Sequence, residues 1–208
     1  MSNVAARALL VLLATLFVMG CASADPVVKI GLVAPFEGRD RAIGYDAIYS
    51  ARLAVRQINE AGGIAGHRVA LVALDDRGDP ELAKQAAASL AVDPGIVVVL
   101  GHFLPEITAV AAPVYEQHQL ALLPMGKTPF APVSPGSLPP EFLGAYEAIT
   151  PFDEIAGPFA GPTFDAMGLV RLALAEAEES TGSISRASVQ EALDGLKYQG
   201  LTGEVYLP

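Results

Sequence analysis

Short β-branched apolar runs alternate along this chain with longer amphipathic stretches, and that alternation restricts the fold more than any other feature. Residues 27–33 form an apolar run between Pro26 and Pro35, the pattern of a central strand buried on both faces. Residues 45–61 then place Ala47, Ala51, Ala54, Val55 and Ile58 on one helical face, with Arg52, Arg56 and Asn59 elsewhere. Gly62 and Gly63 stop that helix, because glycine readily takes the left-handed conformation that ends helices. The spacing next predicts a strand over 69–74, a helix over 80–91 and a strand over 96–100. A helix over 106–117, bent at Pro113, and a strand over 120–123 follow. A βαβαβ order of this kind predicts an α/β fold, a doubly wound parallel sheet with helices on both faces.

The pattern breaks between Pro124 and Pro140, where six prolines, Gly126, Gly136 and two serines occur without periodicity. Such a stretch reads as a linker or crossover. Helical patterns resume over 141–148, 164–179 and 186–196, with Thr163 and Ser185 placed to cap the last two, and a strand is expected over 204–207. The chain thus divides into 27–128, a Pro-rich linker at 129–140, and 141–208.

The N-terminus specifies a compartment. Arg7 precedes an apolar run from Ala8 to Met19, which is too short to span a bilayer as a helix and fits the core of a signal peptide over 1–20. Val18-Met19-Gly20-Cys21 resembles a bacterial lipobox, in which the cysteine is lipidated and becomes the mature N-terminus; Cys21 is the sole cysteine. Ala22-Ser23-Ala24 offers the alternative of A-x-A cleavage and a soluble secreted product. Either route predicts a periplasmic or extracytoplasmic domain, and one cysteine allows no internal disulfide. Beyond position 20 about 188 residues remain, enough for one well-cored domain. A net charge of -10 and a pI near 4.6, without clustered basic residues, argue against a nucleic-acid partner.

Three longer segments carry a family resemblance. They are Val28-Lys29-Ile30-Gly31-Leu32-Val33-Ala34-Pro35-Phe36-Glu37-Gly38, then the run from Ala54 to Gly66, then Asp75-Asp76-Arg77-Gly78-Asp79-Pro80. In wording, order and spacing they resemble the type I periplasmic binding proteins of the leucine/isoleucine/valine-binding family. Gly101-His102, Ala112-Pro113-Val114-Tyr115-Glu116 and Gly126-Lys127-Thr128 continue the match, as do Thr163-Phe164-Asp165-Ala166 and Gly200-Leu201-Thr202-Gly203. The resemblance implies the substrate-binding component of an ABC transporter for amino acids or similar small polar solutes, working with a permease and carrying no cofactor. It also implies that 27–128 and 141–208 are two halves of one lobe. The region that builds the second lobe is missing between about Thr128 and Pro140, and the chain ends before the family's closing strands.

Carried over position by position, the resemblance assigns the ligand to the carboxyl ends of the strands, at 36–43, 102–106 and 125–130. The candidate binding residues are Ile43, His102, Leu104, Pro105, Gly126, Lys127 and Thr128. Thr128 keeps a hydroxyl that both donates and accepts. Pro105 stands where amino-acid binders have serine, Ile43 where many have an aromatic, and Lys127 where they have a small residue. A lone lobe is expected to expose Phe36, Phe103, Leu104 and Phe130, an apolar patch that predicts self-association or a partner such as a second lobe, a permease or another envelope protein. An envelope interaction protein that has lost ligand capture is therefore the alternative function.

The remaining motifs read as structural. Gly62-Gly63-Ile64-Ala65-Gly66 follows a helix, not a strand, and so fails as a dinucleotide fingerprint. Asp75, Asp76 and Asp79 lack EF-hand spacing and read as a solvated turn. His67, His102 and His118 lack zinc-ligand spacing, and a structural hydrogen bond is the expectation for His102. Without a G-x-S-x-G elbow or a second thiol, the chain offers no signal of an enzyme.

Overall fold

The structure, a computed structural model, describes residues 25–151 and 154–208. The leader and Cys21 lie outside the described residues.

Strands β1 (Val27–Ala34), β2 (Arg68–Asp75), β3 (Ile96–Leu100) and β4 (Ala121–Leu123) form one parallel sheet in the order β2-β1-β3-β4. Helices α1 (Arg41–Glu60), α2 (Pro80–Ala91) and α3 (Pro105–Gln117) make the crossovers. α3 runs through Pro113 as one unbroken helix. A turn of 3-10 helix at Pro135–Ser137 leads into α4 (Pro140–Glu147), followed by α5 (Ala160–Thr181) and α6 (Arg186–Leu193). The chain then forms an antiparallel hairpin of β5 (Lys197–Gly200) and β6 (Gly203–Tyr206).

β3 is buried at all five positions, Ile-Val-Val-Val-Leu, because helices cover both of its faces. On one face Ile30, Leu32, Val98 and Leu100 meet the alanines of α1 together with Met167, Val170 and Leu174 of α5 and Val189 of α6. On the other, Val33 and Val99 meet Ala83, Ala87 and Leu90 of α2 and Ile107, Ala111 and Tyr115 of α3. Each such aliphatic side chain contributes roughly 1.5–3 kcal/mol by leaving water. α4 closes the end of α1 and α5 with Leu53, Phe142 and Tyr146, and Phe142 packs edge-on against Phe164 at 5.1 Å.

Polar contacts fasten residues 141–208 onto 27–128. The Asp46 carboxylate on α1 accepts from the amides of Gly157 at 3.0 Å and Phe159 at 3.1 Å, and Ser50 Oγ donates to the Ala160 carbonyl at 2.8 Å. The Arg186 guanidinium donates to the carbonyls of Ile96, His118, Ala91 and Asp93.

Two caps were predicted, and they differ. Ser185 caps α6 as expected, accepting from the Ser188 amide in a reciprocal capping box. Thr163 is no cap. α5 starts at Ala160 behind Phe159, and Thr163 lies inside the helix with its hydroxyl buried and unpartnered.

Candidate functional site

In a doubly wound sheet the crevice opens at the carboxyl ends of the strands where the strand order reverses. Here that point lies between β1 and β3, since β2 lies to one side of β1 and β3 with β4 to the other. Four loops converge on it. Asp75, at the end of β2, accepts from the Phe36 amide at 2.8 Å and the Arg77 amide at 2.9 Å, tying the β1 loop to the β2 loop. Gly78 lies against Leu104, whose Cδ1 would be 3.1 Å from a Cβ at that position. Gly126 packs on the backbone of Phe103 so tightly that a Cβ would stand 3.1 Å from the Phe103 carbonyl carbon; with φ at 82° the position suits only glycine. The Gly126 amide also donates to the Phe130 carbonyl at 3.1 Å. Lys127 and Thr128 are thereby presented, exposed, on a fixed turn beside the β3 loop.

The other candidates are placed differently. His102 is fully buried, its Nδ1 2.6 Å from Asp76 Oδ2 and its Nε2 3.2 Å from the Tyr115 hydroxyl. Both ring nitrogens are engaged, so the side chain has nothing left for a solute, in line with the structural reading of that histidine. Asp76 corrects the expectation of a solvated turn: it is 1% exposed, and its other oxygen accepts from the Gly78 amide at 2.9 Å. Burial, together with the Asp76 charge, holds the Tyr115 phenol well above its usual range. Asp79 caps α2 by accepting from the amides of Glu81 and Leu82. Ile43 is half-buried against the main core.

The start of α3 makes a poor anion site. Leu104 caps it without a side-chain bond, and exposed Pro105 has no N–H. The amides of Ile107 and Thr108 both turn back to the Leu104 carbonyl, at 3.1 and 2.9 Å, and the Thr108 hydroxyl donates within the same loop. Only the Glu106 amide is left, beside a carboxylate that opposes an anion.

The predicted apolar patch is corrected as well. Phe103 and Phe130 are 2% and 1% exposed, and Phe36 and Leu104 are half-buried. The returning chain covers Phe103, with Phe159 packed edge-on against it at 5.6 Å. Phe103 and Phe130, being buried, therefore cannot drive self-association.

A family profile described as periplasmic binding protein matches residues 27–140, more than half of the sequence. The chain belongs to the periplasmic binding protein family. The Leu/Ile/Val-binding protein homolog 1 of Brucella abortus (strain 2308) is 34% identical over 109 residues, 52% of this chain and 29% of that protein. The Leu/Ile/Val-binding protein of Escherichia coli (strain K12) is 28% identical over 200 residues, 94% of this chain and 50% of that protein. The chain therefore spans half or less of the length of these curated relatives. In fold, the branched-chain amino acid transporter substrate-binding protein of Streptococcus pneumoniae, solved in complex with isoleucine, superposes with a TM-score of 0.71. That alignment is 13% identical and covers 88% of this chain and 92% of that one. The likeness establishes a type I periplasmic-binding-protein architecture.

This periplasmic binding protein also relies on two buried acids, Asp46, which no motif marked, and Asp165, which lies in a motif of the resemblance. Asp46 is 8% exposed, and burial pushes its carboxyl up to about 6 despite the two amides it accepts from. Asp165, fully buried, accepts from the Leu201 amide at 2.7 Å and from the Thr202 amide and hydroxyl at 2.8 and 2.6 Å. It joins Thr163-Phe164-Asp165-Ala166 to Gly200-Leu201-Thr202-Gly203, two motifs whose common presence was the available signal. Among the described residues, no His, Cys, Asp and Glu side chains gather as a metal site, and no helix is long and apolar enough to cross a membrane.

Proposed function

We propose that this protein is an extracytoplasmic solute-binding component of an ABC-type transporter, built as a single lobe, for a small polar solute such as an amino acid. The observation that carries the reading is the turn at Gly126-Lys127-Thr128, which follows β4 at the carboxyl end of the sheet and is held against the β3 loop. It presents an ammonium and a hydroxyl together, a pair suited to a carboxylate. The names of the relatives support the solute class. Residues 27–128 and 141–208 make up the lobe, with 129–140 in the place of a second one; the contacts of Asp46, Ser50 and Arg186 support this division. Cys21 serves as the site of a lipid anchor.

One lobe leaves one side of the solute wet, whereas small-ligand pockets bury about 70–90% of their ligand. If two lobes gave about -8 kcal/mol, a micromolar site, half of that is about -4, a millimolar one. Useful capture then depends on a partner surface such as a permease or a separate second lobe. A specific observation favours a second reading, an envelope interaction protein without solute capture. The start of α3 carries Pro105 and Glu106 and has little left with which to bind an anion.

The test is a thermal-unfolding screen of the purified protein against millimolar amino acids, amides and small organic acids, since binding to the native state raises the midpoint by mass action. A saturable rise with one solute class, abolished in a Lys127→Ala, Thr128→Ala double variant, supports the binding reading. A flat response across the panel, with cooperative unfolding intact, moves the function to partner docking.

A further inference from the structure

Along the seam where α1 meets α5 lies a slot of about 310 Å³, with Ala54, Ile58, Phe164 and Gly168 for its floor and Gln57, Arg171 and Tyr198 at its rim. Ser50 donates to the Ala160 carbonyl and Asp46 accepts from the Phe159 amide, which sets the two helices side by side and running the same way. Ala54 is then level with Phe164, and Ala61 with Arg171. Each helix walls the slot for about two turns, roughly 10 Å. One end is apolar, between Ala54 and Phe164, and the other carries the exposed Arg171. The slot lies along the half of α1 that leads away from the β1 loop, so it is separate from the strand-order switch and from the Gly126-Lys127-Thr128 turn.

Tyr198 of β5 closes the middle of the slot. Its ring lies across Gly168, where a Cβ would stand 2.8 Å from Cε1, so glycine at that position makes the room. Burial and the Asp165 charge raise the Tyr198 phenol above its usual range and Arg171 opposes them, which brings the guanidinium and the hydroxyl to the same end. Asp165 itself is taken up by the β5–β6 turn. The Tyr198 hydroxyl, the Arg171 guanidinium and the Gln57 amide make no hydrogen bond or ion pair among the described residues, and no acidic side chain lines the slot.

We propose that this slot is a second ligand site, for an amphipathic monocarboxylate about 10 Å long, with its hydrocarbon against Ala54, Ile58 and Phe164 and its carboxylate on Arg171 and the Tyr198 hydroxyl. An apolar floor with a few convergent polar groups is the usual build of a small-molecule site. Volume sets the size: at about 30 Å³ for each water-sized group the slot holds about ten, which is an eight-carbon acid with its two oxygens. Charge sets the head group, since a guanidinium takes a carboxylate through two parallel hydrogen bonds and the phenol donates a third. An amino acid is disfavoured, because its ammonium would meet no acidic partner there. The walls come from 27–128 and 141–208, so a bound acid also clamps those segments together.

The experiment titrates sodium octanoate into the purified protein by isothermal calorimetry. Saturable 1:1 binding is expected, weakened at least tenfold by Arg171→Ala and abolished by Ala61→Trp, which fills the mouth of the slot. Both positions are exposed, so both variants should unfold as cooperatively as wild type. Tyr198→Phe removes the hydroxyl alone and should weaken binding about three- to tenfold. Neutral 1-octanol should bind at least tenfold more weakly than octanoate, a comparison that needs no variant. Equal binding of 1-octanol would overturn the proposal, as would an unchanged affinity in Arg171→Ala or no binding at millimolar octanoate. Binding lost in the Lys127→Ala, Thr128→Ala double variant but kept in Arg171→Ala would assign octanoate to the turn after β4 and sink the slot. A flat amino-acid screen beside octanoate binding at Arg171 would sink solute capture alone.

Discussion

Replacing Arg186 should show how firmly residues 141–208 are held to the sheet. Its Nε donates to the Ile96 carbonyl at 3.0 Å, Nη1 to His118 at 3.1 Å, and Nη2 to Ala91 at 2.9 Å and Asp93 at 2.8 Å. Ala91 is the last residue of α2, so the cation also complements that helix's negative end. A hydrogen bond to a charged group is worth about 1.5–3 kcal/mol. The His118 contact is exposed and the other three are partly buried, so water recovers some of the loss on truncation. At about 1 kcal/mol for each partly buried contact, Arg186→Ala should cost about 3 kcal/mol. For a domain of this size that lowers Tm by roughly 6–12 °C. Arg186→Lys keeps the charge but not the planar fork and should recover less than half of the loss. Urea unfolding followed by circular dichroism measures both, with exposed Arg171→Ala as a control expected within about 0.5 kcal/mol of wild type. If Arg186→Ala fell within that same margin, the four contacts would not bind the segments together and the argument for one lobe would lose its main support.

Other perturbations test the site and its fastenings. Asp46 titrates at about 6 in the folded protein against an ordinary 3.8, so the folded state holds the proton more tightly. Its contribution to stability is fully present below about pH 4 and is lost as pH rises through 6, a difference of about 3 kcal/mol at 1.36 kcal/mol per unit. Asp46→Asn should remove that decline from a Tm series between pH 4 and 7, and an unchanged slope would locate it elsewhere. Gly126→Ala places a methyl group against the Phe103 backbone at a positive φ. It should destabilise by about 1–3 kcal/mol and weaken any solute response, and a variant as stable as wild type would show that the turn is not fixed in this way. His102→Ala leaves the Asp76 carboxylate buried without its partner and should cost about 3–5 kcal/mol. In a double-mutant cycle with Asp76→Asn the two losses should be strongly non-additive, and simple additivity would contradict the pairing.

The periodic part of this fold was legible in the sequence because its cause is local. The apolar run at β1, the alanine face of α1 and the glycines that follow it show which faces are buried, and the Pro80–Ala91 helix appears with the limits the pattern suggests. β5 was not foreseen, because Lys-Tyr-Gln-Gly is short and polar; it is held by pairing with β6 and by Asp165 gripping the turn between them. Thr163 was misread as a cap for a related reason. Its hydroxyl suits a helix start, but the start was moved to Ala160 by contacts distant in sequence, from Ser50 to Ala160 and from Asp46 to Phe159. At the site, the Gly126-Lys127-Thr128 turn could be placed from the chain alone. The burial of Phe103 could not, since it depends on where Phe159 returns.

The residues that carry the family likeness and those that would choose a solute are largely different residues. Asp75 takes the amides that join two loops, Asp76 pairs with His102 inside the protein, Asp79 caps α2, and Asp165 clasps the β5–β6 turn. These side chains are consumed by backbone amides or by each other, so they preserve an architecture whatever ligand the crevice takes. The positions that the resemblance assigns to the crevice are less tied down: Pro105 offers neither hydroxyl nor N–H, Ile43 packs against the core, and Lys127 is exposed with its charge. Membership of the family therefore carries the fold but transmits little about the solute, because function resides in the site and not in the scaffold. What Lys127 adds, a cation next to a hydroxyl on a rigid turn, favours a carboxylate over a neutral solute. A screen in which neutral amides raise the midpoint as much as the matching carboxylates would remove Lys127 from the site.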